Sequence, residues 1–221
     1  MSSDVSETVE VACAKVRVGR PPVLTEQERR QLILEAAETV FFRAGYGEAT
    51  MEEIARVACM SKKSIYALYP DKRTLFACLV NDIGCFSERA ARSAPPAPTA
   101  IEELRTRLLI LAEFSLSPRL IKMKRLVISE APKSPELADE FHNRVMRRGS
   151  AYIAESISRL AGERGRPVVH DDVKIARFLI GAALSDIHIS LLFGEPCDVS
   201  HEAIARKIDM TLDIVVPGLF A

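Results

Sequence analysis

The run from Ser61 to Lys72, SKKSIYALYPDK, holds the side chains best suited to chemistry. Ser61 can cap a short helix that ends before Pro70, because the residue preceding a proline resists αR geometry. On that helix Ile65 and Leu68 lie three apart and anchor it inward. Lys62, Lys63 and Tyr66 then point mostly outward, Lys62 and Tyr66 sharing a face at i, i+4. Such a cationic, hydroxylated and aromatic face suits phosphates and base edges, and the major groove of a duplex admits one α-helix. Tyr66 and Tyr69 each bring a hydroxyl suited to a phosphate, and Tyr66 also suits a base edge or methyl. Asp71 can cap the following helix, which puts Lys72 at a positive dipole end where an anion is favoured. The plainer alternative is a solvated, lysine-bearing surface helix in an ordinary bundle.

A second short helix must hold this one in place. Thr50 can cap it, with Glu53 three residues on completing a capping box. Ile54, Ala55 and Ala58 give it an apolar face, and Cys59-Met60 can form the turn between the two helices. Thr50 and Met51 at its start, with Ser61 and Ser64 on the next helix, complete the residues expected at the nucleic acid.

This stretch resembles the helix-turn-helix of the tetracycline-repressor (TetR) family of one-component regulators. The residues that carry the resemblance are Thr50, Ile54, Ala55, Ala58, Ser61, Lys62, Ser64, Ile65, Tyr66, Tyr69, Lys72 and Leu75. It begins upstream at Ile33-Leu34-Glu35-Ala36-Ala37 and Phe41 to Tyr46, and runs to about Val80. Cys59 departs from it, standing where the family often has a turn glycine, and implies a turn of ordinary φ. Pro70 departs as well. The resemblance implies an operator-binding dimer that is not an enzyme. It also implies a small molecule held inside the second domain, whose occupancy shifts the two reading heads through a connecting helix.

The composition permits this reading. The chain has 221 residues and 48% hydrophobic residues, enough for a real core. Its formal net charge is zero, but the charge is unevenly spread. Lys15 to Arg73 carries eleven Lys or Arg against eight Asp or Glu, an excess of three positive charges. The N-terminus is acidic and has no continuous apolar segment, so it reads as lacking a secretory signal. No unbroken apolar run reaches the ~18 residues of a membrane span; Phe178 to Phe193 is interrupted by Asp186 and His188. A cytoplasmic location is expected. The five cysteines (13, 59, 78, 85 and 197) show no CxxC pair and read as reduced thiols, with Cys78 and Cys85 sharing a helix face.

In chain order, residues 1–23 read as an arm ending in a basic Gly-Arg-Pro segment. The resemblance lays Arg20 along the minor groove, where narrow A·T-rich stretches concentrate negative potential. Residues 24–70 form the helix-turn-helix domain, opened by a Thr25–Glu28 capping box and stopped at Gly45. Residues 71–94 form one connecting helix. Three prolines between Ser93 and Pro98 end it. Residues 99–221 form a larger helical domain, with Thr99, Pro118 and Ser134-Pro135 as helix starts and Gly162 to Gly165 as a turn. No sustained period-2 alternation occurs, so the fold class is all-α.

The last two helices are apolar around much of their circumference, and a helix of that kind must be covered on two sides. Ile180, Leu184, Ile187, Leu191, Ile204, Ile208 and Leu212 are the expected homodimer contacts. Candidate walls for an apolar or amphipathic effector are Leu108, Leu111, Phe114, Phe141, Val145 and Phe178. Arg125, Glu130, His142, Asp186 and His188 are polar groups that could orient it. His142, His170, His188 and His201 show no metal spacing, and no cofactor is expected. Catalytic motifs such as GxSxG, a P-loop or HExxH are lacking. The expected function is a dimeric repressor on palindromic operator DNA, released by a small molecule. The alternative is a helical dimeric adaptor or enzyme that does not bind DNA.

Overall fold

A computed structural model describes residues 24–93 and 97–220 of the chain. The basic arm with Arg20, and Cys13 before it, lie outside the described residues. Among the described residues the fold is all-helical, with one isolated antiparallel bridge between Val168 and Phe220.

Helix α1 (Glu26–Glu48) opens on the expected capping box, with Thr25 and Glu28 satisfying each other's backbone donors. Gly45 breaks its regular geometry at φ 80°, a left-handed conformation that costs glycine little. The face it buries is Ile33, Ala36, Ala37, Val40 and Phe41, while Leu32 is exposed. Helix α2 (Met51–Val57) is capped by the Thr50 hydroxyl on the Glu53 N–H at 3.2 Å. The reverse half of that box is replaced: the Glu53 carboxylate pairs with Arg43 and Arg56.

The turn into α3 (Lys62–Leu68) differs from expectation. Cys59 lies at φ 53°, in the left-handed region, not at an ordinary φ. The reason is the way α2 ends. Met60 N–H donates to the Ala55 carbonyl at 3.0 Å and Cys59 N–H to Arg56 at 3.2 Å, which is a Schellman closure and needs a left-handed residue after the cap. Cysteine therefore occupies a glycine conformation.

The connecting segment is two helices, α4 (Lys72–Gly84) and α5 (Phe86–Ser93), with a break at Cys85. Helix α6 spans Ala100–Leu116 and α7 Pro118–Glu130. Helix α8 (Pro135–Phe141) runs through a π-helical turn, His142–Met146, into α9 (Arg147–Arg164). Helices α10 (Asp172–Phe193) and α11 (His201–Val215) follow. A π-turn inserts an extra residue into the hydrogen-bond ladder and often marks a functional site.

Two hydrophobic cores organise these helices. One joins α1–α4 to α7 and α8 through residues such as Phe41, Ile54, Ile65, Phe76, Met123 and Leu137. The other joins α6, α9, α10 and α11 through Leu104, Ile153, Leu179, Ile204 and Ile208. The first core thus reaches well beyond the N-terminal helices: α7 packs on α1 and α8 on α4. By length and composition α10 could cross a membrane, with mean hydropathy 1.6 over its most apolar window. It is instead a partly buried core helix, packed against α6, α7, α9 and α11.

Candidate nucleic-acid interface and internal cavity

Helix α3 is seated by fully buried Ile65 and by the first core beneath it. Ser61 caps it, its hydroxyl accepting the Ser64 N–H at 3.1 Å and lying 2.8 Å from the Ser64 hydroxyl. Lys62, Lys63 and Tyr66 project outward as expected, and Tyr66 is 44% exposed. Lys62 forms an ion pair with Glu52 at 3.0 Å. Both partners are solvent-exposed, so the pair is worth little and can open towards a phosphate. Thr50 and Ser61 are also exposed. These residues form one continuous cationic and hydroxylated face.

Three other residues expected at the nucleic acid face elsewhere. Tyr69 is 2% exposed and packs in the core, with the Arg30 guanidinium 5.9 Å from its ring centre. Burial raises the pKa of its hydroxyl. Following Pro70 holds Tyr69 extended at the helix end, which turns the ring inward. Met51 is buried under α2. Lys72 is the third. Its ammonium donates to the carbonyls of Tyr46 at 2.6 Å, Gly47 at 2.9 Å and Ala49 at 2.9 Å, and stands 4.6 Å from the Tyr46 ring centre. All three ammonium protons are used on the carbonyls that Gly45 leaves open at the end of α1. Burial is the chief cause of its lowered pKa. Lys72 therefore clamps α4 to the end of α1. Lys72→Met is expected to destabilise the fold by about 2 kcal/mol, the order of a lost charged hydrogen bond with orphaned acceptors. Denaturant unfolding checks this; an unchanged midpoint would contradict the clamp.

A cavity of about 340 Å³ lies between α4–α5, α6, the π-turn, α9 and α10. Its apolar wall includes Phe86, Leu111, Phe114, Leu120, Val145 and Ile180. The Phe86 and Phe114 rings stack at 3.7 Å and 3°. Ser115, His142, Ser150, Arg177, Ser185 and His188 supply polar groups. Of the expected wall, Leu111, Phe114 and Val145 line it. Leu108 and Phe141 instead fill the two cores, and Phe178 is 63% exposed on the outer side of α10. Among the expected polar groups His142 and His188 line it. Arg125 donates to the carbonyls of Leu191 and Leu192, and Asp186 pairs with Lys207. Glu130 lies beside Gly45 and Gly47, away from the cavity. Sequence reasoning missed Arg177, Gly181, Ser185 and Gly149-Ser150. For Gly149, Ser150, Gly181 and Ser185 the signal was small residues on facing helices, which leave volume that Leu or Ile would fill.

Behind His188 sits a buried polar cluster. The Lys124 ammonium donates to the Ser115 carbonyl at 2.8 Å, to the Ser115 hydroxyl at 2.9 Å and to His188 Nε2 at 2.7 Å. Burial pushes Lys124 down to about 8. Burial first, then the Lys124 charge, pushes His188 down to about 4, so its ring is neutral and accepts at Nε2.

The cavity wall touches the parts that hold α3. Gly84, at the end of α4, meets the π-turn so closely that a Cβ there would stand 2.0 Å from the Arg144 carbonyl oxygen. Arg144 also donates to Asn81 at 3.4 Å. Leu120 lies beside Arg119, whose guanidinium makes a two-pronged pair with Glu38 of α1 at 2.7 and 2.6 Å.

The expected dimer contacts divide. Leu184, Ile204, Ile208 and Leu212 are buried in the protomer's own second core, and Ile187 and Leu191 pack against it. Ile180 lines the cavity. The outward apolar residues of the two helices are Phe178, Ile189 and Phe193 on α10 and Met210 and Ile214 on α11, with Phe193 81% and Ile214 72% exposed. The residues expected to pair two protomers therefore lie mostly on the inward stripe of these helices, and a second apolar stripe faces outward.

Known proteins place this architecture. The chain is similar over residues 33–79 to the family described as bacterial regulatory proteins, tetR family. Over residues 102–216 it is similar to the AefR-like transcriptional repressor C-terminal domain. No curated protein matches the chain. Among solved structures, a TetR-family transcriptional regulator from Mesorhizobium loti MAFF303099 is 25% identical, with TM-score 0.70 over 90% of this chain and 100% of that one. The flavonoid-responsive regulator FrrA is 20% identical, with TM-score 0.72 over 88% and 98%. FadR from Bacillus subtilis, in complex with stearoyl-CoA, is 18% identical, with TM-score 0.65 over 86% and 98%. Two family matches that together span both cores, on an all-helical chain with an outward-facing α3, identify the protein as a member of the TetR family: a non-enzymatic transcriptional regulator with an N-terminal DNA-binding helix-turn-helix and a C-terminal ligand-binding domain.

Proposed function

We propose that the protein represses transcription as a homodimer on palindromic operator DNA in the cytoplasm, and lets go when a small molecule fills the cavity beside α4. The observation that carries this reading is the exposed Lys62–Lys63–Tyr66 face on a helix whose opposite side is fully buried. One such helix reads too few bases for specificity. Two related by a two-fold read both halves of a palindrome. The outward apolar row Phe178, Ile189, Phe193, Met210 and Ile214 supports a pairing surface on α10 and α11, because exposed apolar residues clustered on neighbouring helices favour a partner.

Release needs an effector that binds one head spacing better than another, with coupling of about 1–3 kcal/mol. The π-turn supports a route: His142, Val145 and Met146 line the cavity, while Arg144 between them bears on Gly84 of α4. A molecule that moves this turn moves the helix leading to α3. Two relatives of the same fold are described with small molecules, one as flavonoid-responsive and one bound to stearoyl-CoA, and this agrees with the reading.

Anisotropy titration of DNA from upstream of the protein's own gene tests it. Sequence-specific binding that falls steeply with salt is expected, since Lys62 and Lys63 displace counterions. The double variant Phe193→Asp, Ile214→Asp is expected to sediment as a monomer and bind that DNA at least 100-fold more weakly. A variant that remains dimeric would overturn the pairing surface. Binding indifferent to sequence would overturn the operator.

A further inference from the structure

We infer that the effector is an anionic amphiphile, whose acid group is received at the Ser115–His188–Lys124 end of the cavity and whose apolar body lies along Phe86 and Phe114. This rests on the effector reading above and assigns its chemical class. Three observations carry it. First, none of the residues lining the cavity is Asp or Glu, whereas Arg177 and two histidines are among them. Second, the Lys124 side chain is 9% exposed and all its hydrogen-bond acceptors are neutral: a serine carbonyl, a serine hydroxyl and an imidazole. No carboxylate among the described residues pairs with it. A buried ammonium without a counter-charge is costly, and an anion beside it recovers that cost. Third, its acceptors Ser115 and His188 are themselves cavity wall, so one side-chain rotation separates the ammonium from the space.

The cluster is built for exchange. The Ser115 hydroxyl and the His188 ring hold the ammonium at the cavity wall, and both can turn to donate to an oxyanion. Arg177 also lies on the wall and forms no ion pair among the described residues, so it adds a second cation for the head group. A neutral apolar ligand would fit the aromatic end but leave the Lys124 charge uncompensated. A cationic one would face repulsion from both cations.

A matched series tests the assignment: 2-naphthoate, 2-naphthylmethanol and 2-naphthylmethylammonium share a ring and differ in head charge. The chain has no Trp, so naphthalene fluorescence reports binding directly. The full-length protein is expected to bind the naphthoate at least tenfold tighter than the alcohol, with the ammonium weakest. Lys124→Met is expected to reduce that tenfold preference to under threefold. Arg177→Gln, at an exposed position, keeps the fold regardless and is expected to weaken the naphthoate about threefold. Thermal melting of each variant confirms folding. Equal affinity for the naphthoate and the alcohol, or a preference that survives Lys124→Met, overturns the anionic assignment but leaves the effector cavity standing. Failure of all three probes to bind the folded protein overturns the effector cavity itself.

Discussion

Alanine at both Lys63 and Tyr66 is expected to weaken operator binding about a thousandfold, while the melting temperature stays within about 2 °C. The magnitude follows from counting. Each lost contact to a charged phosphate or base edge is worth about 1 kcal/mol at the low end. Two residues on each of two protomers then cost about 4 kcal/mol, or about three orders of magnitude in Kd. Stability is spared because both side chains face solvent and neither belongs to either core. Lys62→Ala is expected to do less, because part of its charge is already spent on Glu52. Competition binding on duplex DNA with parallel thermal melting reads both quantities. Unchanged affinity in the double variant would show that α3 does not meet the DNA.

Gly84→Ala is the second large effect, and it acts on structure and coupling together. The added methyl would sit 2.0 Å from the Arg144 carbonyl oxygen and 2.8 Å from its carbon. Both are backbone atoms of the π-turn, so no side chain can swing aside. Either α4 or the turn must move by more than an ångström. Overpacking of this kind costs about 3 kcal/mol. The displaced contact is also the one proposed to carry effector binding to α3. The variant is therefore expected to unfold at lower denaturant and to respond poorly to effector, even where it still folds and binds DNA. Chemical denaturation, with effector titration of the DNA complex, checks both parts. A variant with wild-type stability would show that the turn and α4 are not in firm contact.

The fold was largely legible, and for identifiable reasons. Thr25, Thr50, Ser61, Asp71, Thr99, Asp171 and Ser200 each cap a helix through their own side chain, and such caps are local chemistry that a sequence displays. Gly165 ends its helix in the left-handed conformation, in the turn expected there. The π-turn was not legible, because its residues read as an unbroken helix and only packing against α4 shifts the ladder. Cys59 misled because its φ is dictated by how α2 closes, not by the residue's own preference.

The site was legible on α3 and obscure elsewhere. Lys62, Lys63 and Tyr66 stand on one short helix, so spacing alone assigned their direction. Lys72 and Tyr69 lie at helix boundaries, where a small rotation of the backbone decides between solvent and core. Their partners, the carbonyls of Tyr46, Gly47 and Ala49 and the Arg30 guanidinium, are far away in sequence. The cavity failed for a related reason. Leu108 and Phe141 look like Leu111 and Phe114 in any hydropathy pattern, and only the position of neighbouring small residues separates a wall from a filled core. On α10 and α11 two apolar stripes coexist, and the sequence does not say which one the protomer keeps for itself.

The most direct measurement is selection of binding sites from a random duplex pool by the purified full-length protein. Enrichment of a palindrome is expected, two inverted half-sites with centres about one or two helical turns apart, lost when Lys63 and Tyr66 are both alanine. Recovery of no common sequence, or of a single half-site bound equally well by that double variant, would contradict a paired α3 as the reading element.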